Sequence, residues 1–210
     1  MSFHRLIAFG CSDTFGAALD DIDSKQDSPS KHSWPFNLAK EFNLEAENMG
    51  IRGASNKEIL WQILNYNFNE KDIVFVLWSY PNRHFIIKDK DCGEQLGVWG
   101  MESKKNKAYY KLLYHDYDQI ITNYFYYNLA KLYLQERNIK HIFLTHRKEF
   151  INLDIPWNSV KFLDVFFDEE LTKWPKAKDA KHLGADGHAA FALKVFKKYN
   201  LNIYYTGDNA

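Results

Sequence analysis

The stretch Asp72–Trp78 reads DIVFVLW, so six apolar residues follow Asp72 without a polar interruption. A short continuous apolar run is typical of a strand buried on both faces, as the strands of a parallel sheet are. Pro81 lies just beyond the run and ends the strand, because proline cannot donate to a sheet ladder. This stretch therefore predicts a fully buried strand of a parallel sheet.

Weaker strand patterns and amphipathic helical patterns alternate on either side of this run. Further strands are predicted at 6–9, 44–49, 141–144 and 160–165, and helices at 34–42, 57–65, 117–137 and 184–199. Ser55 or Asn56 is the expected N-cap of the helix at 57–65. Alternating strands and helices predict a parallel sheet with helices on both faces, whose ligands bind at the carboxyl ends of the strands.

The bulk composition is that of an ordinary globular domain. The 210 residues are 46% hydrophobic and 26% charged, which predicts one domain spanning 1–210. Lys and Arg together number 27, as do Asp and Glu, so no positive field favours a nucleic-acid partner. The N-terminus lacks a signal-peptide pattern and no apolar run reaches membrane-spanning length, which predicts a cytoplasmic protein without a membrane span. Residues 84–107, with charges and no clear period, form a candidate lid or insertion.

The segment GCSDTFG at 10–16 follows the first predicted strand directly. Ser12 is thereby placed at the carboxyl edge of the sheet and at the start of a helix, where backbone N–H groups favour developing negative charge. Such a place suits a nucleophile whose reaction produces an oxyanion. Taken alone, Ser12 is better explained as a helix N-cap, so the hypothesis needs a second piece of sequence.

That second piece is Asp179-Ala180-Lys181-His182. A serine hydroxyl is a weak nucleophile until a base takes its proton, and histidine is the usual base near neutral pH. A carboxylate can hold the imidazole in the required tautomer. His182 is therefore the candidate base and Asp179 its orienting partner, whereas the nearby His188 is expected to be structural.

The glycine–serine turn after the first strand, the segment NMGIRGASN at 48–56 and the late D-x-x-H before a helix together resemble the SGNH/GDSL hydrolase family. The resemblance implies a three-layer α/β/α sandwich with a mainly parallel, flavodoxin-like sheet. It also implies that Ser12 is the nucleophile, that Asp179 and His182 complete a triad, and that the N–H groups of Ser12 and Gly53 form an oxyanion hole. The first block departs from the family's pattern, because Cys11 stands where an Asp is usual.

The third block of the family, usually Gly-x-Asn-Asp after the third strand, is altered to WSYPNR at 78–83. A strict alignment places Tyr80 at the position of the oxyanion-binding Asn. Asn82 is the candidate donor if the loop bends back, and Asn56, close in sequence to Gly53, is the substitute. Loss of one such donor costs about 10²–10³-fold in rate. The altered block therefore has three possible consequences: the oxyanion hole is rebuilt, the enzyme is slow, or the activity is lost.

Candidate substrate-binding residues cluster near the same strand. Arg83 is a candidate clamp for an anionic group, and Trp78, Tyr80 and Trp99 are a candidate aromatic wall for a sugar or an acyl group. Packing is the alternative for these rings and the favoured explanation of the 17% aromatic content. No histidine pair has a compact zinc spacing with a third ligand, so no metal site is predicted.

The main functional hypothesis is a serine hydrolase that cleaves a carboxylic ester through an acyl-enzyme, with no metal or organic cofactor. A small-molecule ester or an O-acetyl group on a glycan is the expected substrate, on the resemblance alone. The alternative is a non-catalytic SGNH-like module that binds a glycan or a protein partner. A third hypothesis makes Cys11 the reactive group of a thiol enzyme or redox protein.

Overall fold

The computed structural model describes residues 3–22, 28–89, 92–151, 155 and 158–206. Its strands are β1 (Arg5–Gly10), β2 (Glu45–Asn48), β3 (Asp72–Trp78), β4 (His84–Ile87), β5 (Gly93–Leu96), β6 (Lys140–Thr145) and β7 (Phe162–Phe166). Five of them form a parallel sheet in the order β2-β1-β3-β6-β7, and β4 pairs with β5 in an antiparallel hairpin. β3 occupies the centre, where both of its faces are covered.

Seven α-helices belong to the described part of the chain. They are α1 (Ser12–Phe15), α2 (Trp34–Phe42), α3 (Asn56–Asn65), α4 (Lys104–Leu112), α5 (Asp116–Glu136), α6 (Asp168–Leu171) and α7 (Ala185–Thr206). Side chains of α2 and α7 pack on one face of the sheet, and those of α3 and α5 pack on the other. The three-layer α/β/α sandwich with a parallel, flavodoxin-like sheet is therefore confirmed.

The two apolar cores follow from the alternation of side chains along each strand. In β1, Leu6 and Ala8 belong to the core under α2 and α7, while Ile7 and Phe9 belong to the core under α3 and α5. All seven residues of β3 are buried, and the six apolar residues after Asp72 divide between the two cores in the same way. The uninterrupted apolar sequence of this strand is thus explained by burial on both faces.

Trp78, the last residue of β3, has no solvent exposure. Its ring packs against Tyr127 and Phe143, with centroid separations of 4.7 and 5.4 Å. A side chain enclosed in the core makes no contact with a ligand at the surface. The structure therefore identifies Trp78 as a packing residue and does not support its interpretation as part of a substrate wall.

Helices α2, α3 and α5 agree with their predicted bounds to within one residue. α2 occupies the predicted range, and α3 begins at Asn56 with Ser55 as its N-cap, whose hydroxyl accepts from the Glu58 N–H at 3.3 Å. α7 extends beyond its predicted end at residue 199. Of the helices in the described ranges, none is both long enough and apolar enough to cross a membrane.

Residues 84–107 contain the β4–β5 hairpin, a 3₁₀ turn at Val98–Gly100 and the start of α4, and residues 90 and 91 lie outside the described part. The Tyr110 hydroxyl of α4 donates to the Asn82 carbonyl at 2.5 Å, which ties this segment to the loop after β3. The candidate insertion therefore has hydrogen-bonded structure of its own, next to the carboxyl end of the central strand.

Candidate active site

Ser12 lies at the carboxyl edge of the sheet, as the first residue of α1. The chain turns so tightly after β1 that a Cβ on Gly10 would lie 2.0 Å from Thr14 Oγ1. Glycine is required there because no larger residue fits that approach. Ser12 itself is 6% exposed. The predicted nucleophile thus sits in a sharp strand-to-helix turn, almost enclosed by its neighbours.

The loop after β2 packs directly against this turn. The Ile51 N–H donates to the Gly10 carbonyl at 3.0 Å, and the Asn48 amide donates to the Thr14 carbonyl at 2.6 Å. A Cβ on Gly50 would lie 2.4 Å from the Phe15 nitrogen, so glycine permits this contact. The second sequence block is therefore held against the first, and Gly53 lies three residues beyond Gly50 in the same block.

Gly53 has a φ of 77°, in the left-handed region that favours glycine. Among the described residues, no acceptor is hydrogen-bonded to the backbone N–H of Ser12 or to that of Gly53. Two free N–H groups on adjoining loops at a helix start are what an oxyanion hole requires. The Gln95 and Trp99 side chains approach the α-carbon of Gly53, so the insertion borders this position.

Asp179 and His182 are joined by hydrogen bonds in the loop before α7. His182 Nδ1 lies 2.5 Å from Asp179 Oδ2, and Asp179 Oδ1 accepts from the backbone N–H groups of Lys181 and His182 at 3.0 Å each. Ala180 takes a φ of 57° to close this turn. Burial raises the pKa of Asp179, but the hydrogen bonds outweigh it and the net pKa is lowered. An ionised carboxylate thus orients the imidazole through Nδ1.

The loop that carries Asp179 is attached to the segment that follows Ser12. The Lys178 N–H donates to the Ala18 carbonyl at 3.2 Å, and Lys178 Nζ donates to the Asp20 carbonyl at 2.9 Å. Within the described residues, no hydrogen bond joins the Ser12 hydroxyl to His182. The fold therefore brings the two predicted parts of the triad to one edge of the sheet, without a nucleophile–base bond in this conformation.

The side-chain amide of Asn56 is hydrogen-bonded to other residues inside the protein. Its Nδ2 contacts Ser79 O at 3.0 Å, Asn123 Oδ1 at 2.6 Å and Tyr127 Oη at 3.3 Å, and its Oδ1 accepts from the Ser79 N–H at 2.6 Å. The residue is 1% exposed. These bonds use the amide's donors to connect α3, α5 and the end of β3. They leave no free donor for an oxyanion, so the structure does not support that role for Asn56.

Asn82 lies in the loop after β3 and is partly buried. Its carbonyl accepts from Tyr110, and its side chain makes no hydrogen bond to another described residue. The amide is thus available as a third donor, and the role predicted for Asn82 remains a prediction.

Tyr80 and Arg83 form a connected group beyond the end of β3. The Tyr80 hydroxyl donates to Asp168 Oδ1 at 2.9 Å, and its ring lies 4.4 Å from that of His146. The Arg83 guanidinium lies 5.0 Å from the ring centroids of both Tyr80 and Trp99, and donates to Ser79 Oγ at 3.0 Å. Trp99 is 52% exposed. Arg83 and Trp99 therefore border the site, whereas Tyr80 is held within the protein by its own partners.

A buried polar cluster lies next to Ser12, and its members have no sequence spacing that would reveal it. Asp13 Oδ2 contacts His146 Nε2 at 3.1 Å and Cys11 Sγ at 3.5 Å. The three donor atoms lie within 4.8 Å of one another, the kind of set that binds a metal ion. The direct contact between Asp13 and His146 satisfies both groups without one. Cys11 has no solvent exposure, which argues against its being a reactive thiol.

The contact between Asp13 and His146 shifts the pKa of each residue. Burial raises the pKa of Asp13, but the hydrogen bond and the positive charge of His146 outweigh burial and hold it well below its usual range. Burial lowers the pKa of His146, but the hydrogen bond to Asp13 acts in the opposite direction, and the net pKa is raised. The positive charge of Arg83 also lowers the pKa of Asp13.

A surface cleft of about 450 Å³ opens beside Asp179. It is lined by Ala18, Ile22, Arg52, Lys178 and Asp179. The Arg52 guanidinium also lies 4.3 Å from the Phe15 ring centroid. Arg52 is adjacent in sequence to Gly53 but carries no motif of its own, so only the fold identifies it as a cleft residue.

Comparison with known proteins identifies the fold. No protein-family model and no curated protein matches this sequence. A protein of the lipolytic G-D-S-L family from Desulfitobacterium hafniense DCB-2 is similar in structure at 15% identity, with a TM-score of 0.55 over 92% of this chain and 98% of that one. A lipase from a goat rumen metagenome has 13% identity and a TM-score of 0.54 over 93% and 97%.

An acetyl xylan esterase from Butyrivibrio proteoclasticus has 10% identity and a TM-score of 0.56, over 98% of this chain and 65% of that chain. These identities are low, so the likeness concerns the arrangement of the chain. The resemblance found in the sequence is confirmed at that level, and this chain has the fold of the SGNH/GDSL hydrolases.

Proposed function

We propose that this protein is a serine ester hydrolase, with Ser12 as the nucleophile, His182 as the base and Asp179 as the group that orients it. The backbone N–H groups of Ser12 and Gly53 would bind the oxyanion, with the Asn82 side chain as a third donor. Residues 1–210 would act as one domain, and residues 84–107 as an insertion that borders the oxyanion hole.

The observation that carries this proposal is the 2.5 Å contact between His182 Nδ1 and Asp179 Oδ2. A carboxylate at Nδ1 fixes the tautomer that leaves Nε2 free to accept a proton. The same carboxylate accepts two backbone N–H groups, which keep it ionised and in place. Its loop is hydrogen-bonded to the segment after Ser12. An imidazole oriented in this way, on a loop bonded to the segment after a serine at a helix start, supports acyl transfer by that serine.

In the reaction, Ser12 Oγ attacks the acyl carbon of the ester while His182 Nε2 takes the hydroxyl proton. The carbonyl oxygen becomes an oxyanion held by the two N–H groups. His182 returns the proton to the leaving alcohol, and an acyl-enzyme remains on Ser12. His182 then takes a proton from a water molecule, which attacks the acyl-enzyme, and returns that proton to Ser12 Oγ as the acid leaves.

For the substrate we propose a small ester, with an O-acetyl group on a glycan as the first class to test. Arg52 in the cleft beside Asp179, and Arg83 with the half-exposed Trp99 at the border of Gly53, supply cationic and aromatic surfaces. A sugar ring stacks on such an aromatic face. One structural neighbour is an acetyl xylan esterase, which is a property of that protein.

The test is labelling with a fluorophosphonate probe, followed by mass spectrometry to locate the adduct. We expect one adduct on Ser12, absent from Ser12→Ala and strongly reduced in His182→Ala. His115→Ala is the matched control, because His115 is an N-cap without a side-chain cap bond and lies outside the site. This control should be labelled like the wild type.

The alternative, a non-catalytic module that binds a glycan or a protein partner, is motivated by one geometric observation. Among the described residues, the Ser12 hydroxyl and His182 are not hydrogen-bonded, and nucleophile–base bonds can be long before substrate binds. A folded wild-type protein that takes no label, and shows no hydrolysis of acyl esters, would favour the binding module. Glycan-array binding would then be the next measurement.

A further inference from the structure

The turn that carries Ser12 has little local support of its own. α1 is four residues long, and its N-cap, Cys11, makes no side-chain capping bond. A helix this short is unstable by itself, because nucleation fixes several dihedral angles for few hydrogen bonds. The position of Ser12 must therefore depend on contacts from elsewhere in the fold.

His146 supplies such contacts from the end of β6, which lies two strands away from β1 in the sheet. It follows β6, and its Nδ1 lies 2.9 Å from the Trp78 carbonyl at the end of β3. Its Nε2 lies 3.1 Å from Asp13 Oδ2, in the turn after β1. The His146 carbonyl accepts from the Asp168 N–H, beyond β7, at 3.1 Å. One residue thus connects the carboxyl ends of four parallel strands.

The hydrogen-bonding partners define the protonation of the ring. A carbonyl oxygen only accepts, so Nδ1 must carry a proton to bond with Trp78. An ionised carboxylate also only accepts, so Nε2 must carry one to bond with Asp13. The Cys11 thiol, 3.5 Å from the same carboxylate oxygen, can donate to it as well. A doubly protonated imidazole beside an ionised carboxylate satisfies every one of these contacts.

We propose that Asp13 and His146 form a buried ion pair that acts as a positioning pair, holding the turn of Ser12 in register with the ends of β3 and β6. This inference deepens the proposed function, because the position being held is that of the proposed nucleophile. The carboxylate lies on the residue after the serine, whereas Cys11 occupies the place before it.

The groups around the pair determine its response to pH. Cys11 and Asp13 face the ring from the β1–α1 turn, and the Tyr80 ring lies 4.4 Å from it on the β3 side. The Arg83 guanidinium adds positive charge near the carboxylate, which favours its ionised form. His188, on α7, is fully buried and its pKa is lowered by burial to about 4, so it is neutral at pH 8, where the pair is tested. No second carboxylate was found in contact with the ring among the described residues.

The test combines ring protonation with nucleophile reactivity. In ¹⁵N-edited NMR at pH 8, we expect both ring nitrogens of wild-type His146 to be protonated, whereas an ordinary histidine with a pKa near 6.5 would be neutral. Asp13→Asn removes the charge but retains a hydrogen-bonding side chain, and should leave the ring with a single proton. His141→Gln, on β6 and outside the pair, is the control for both measurements.

The labelling rate of Ser12 should fall roughly ten- to a hundredfold in Asp13→Asn, since a small displacement of a reacting group has an effect of that order. His146→Gln should lower it similarly, and the double variant should be no slower than the worse single variant, because the two residues act as a unit. Unchanged labelling in both single variants would overturn the positioning role.

Two other results would overturn the ion pair itself. A single ring proton on wild-type His146 at pH 8 would overturn it, as would one equivalent of zinc bound per chain in the purified protein. These measurements do not need activity. If wild-type Ser12 takes no label at all, the proposed hydrolase fails while the ring protonation still decides the pair, so the two failures can be told apart.

Discussion

Replacing Gly53 by alanine separates the catalytic contribution of its N–H from its contribution to stability. Gly53 has a φ of 77°, and an L-residue in this region costs about 1–2 kcal/mol. The added Cβ would lie 2.6 Å from Gln95 Oε1, the end of a flexible side chain that can move away. For a domain of 210 residues, this predicts a fall in Tm of roughly 2–8 °C.

The effect on reactivity should be much larger than the effect on stability. Alanine retains the N–H, so any loss reports its displacement from the oxyanion. We expect the fluorophosphonate labelling rate of Ser12 to fall towards the value for a lost oxyanion donor, about 10²–10³-fold. The assay is the pseudo-first-order labelling rate at 25 °C, well below the Tm of the variant.

Asn138→Ala is the matched control, because Asn138 has a φ of 56° at the end of α5, away from the site. It introduces alanine in the same backbone region and should lower Tm slightly without changing the labelling rate. Equal labelling rates for Gly53→Ala and Asn138→Ala would refute the reasoning, because Gly53 would then be a structural glycine only.

Three further outcomes follow from the structure. Asp179→Asn should lower the labelling rate by about 10⁴-fold with Tm nearly unchanged, because the amide favours the wrong His182 tautomer; a loss below tenfold would contradict this. The pKa of His188 is lowered by burial to about 4, and its Nδ1 accepts from the Trp34 N–H. Between pH 6.5 and 4 the unfolded chain therefore binds more protons, so the free energy of unfolding should fall by roughly 3 kcal/mol as pH drops through this window. His188→Asn should flatten this slope in urea titrations. Finally, Trp78→Ala should lower the free energy of unfolding by about 3–5 kcal/mol, whereas Trp99→Ala should lower it by less than about 1 kcal/mol and raise KM for an aryl acetate; equal destabilisation would contradict their assigned environments.

The sheet was predictable because burial leaves a direct trace in the sequence. Asp72–Trp78 has apolar residues facing both cores, so its pattern alone predicts a parallel strand covered on both sides. α2 and α3 carry apolar stripes at helical spacing, and the cap of α3 is visible in Ser55. The hairpin of β4 and β5 was not predicted, because its four-residue strands are only partly buried and lack a continuous apolar face.

The aromatic residues show the limit of that reasoning. Trp78 and Trp99 have the same side chain and lie near the same strand, yet one has no exposure and the other is half exposed. Asn56 and Asn82 are similarly alike in type, but the amide of Asn56 is used by Ser79 and Asn123. Residue type and proximity in sequence do not state which side chain has its hydrogen bonds satisfied inside the protein.

The sequence by itself determined the order of the five sheet strands and of helices α2, α3, α5 and α7, the glycine–serine turn and the pairing of Asp179 with His182, because these depend on local periodicity and on residues three positions apart. The tertiary structure alone decided that His146 contacts Asp13, which is 133 residues away in the chain. It also decided that Arg52 lines the cleft beside Asp179. The physical reason is that parallel strands bring their carboxyl ends to one edge of the sheet from distant parts of the chain, and the contacts made there have no periodicity to read.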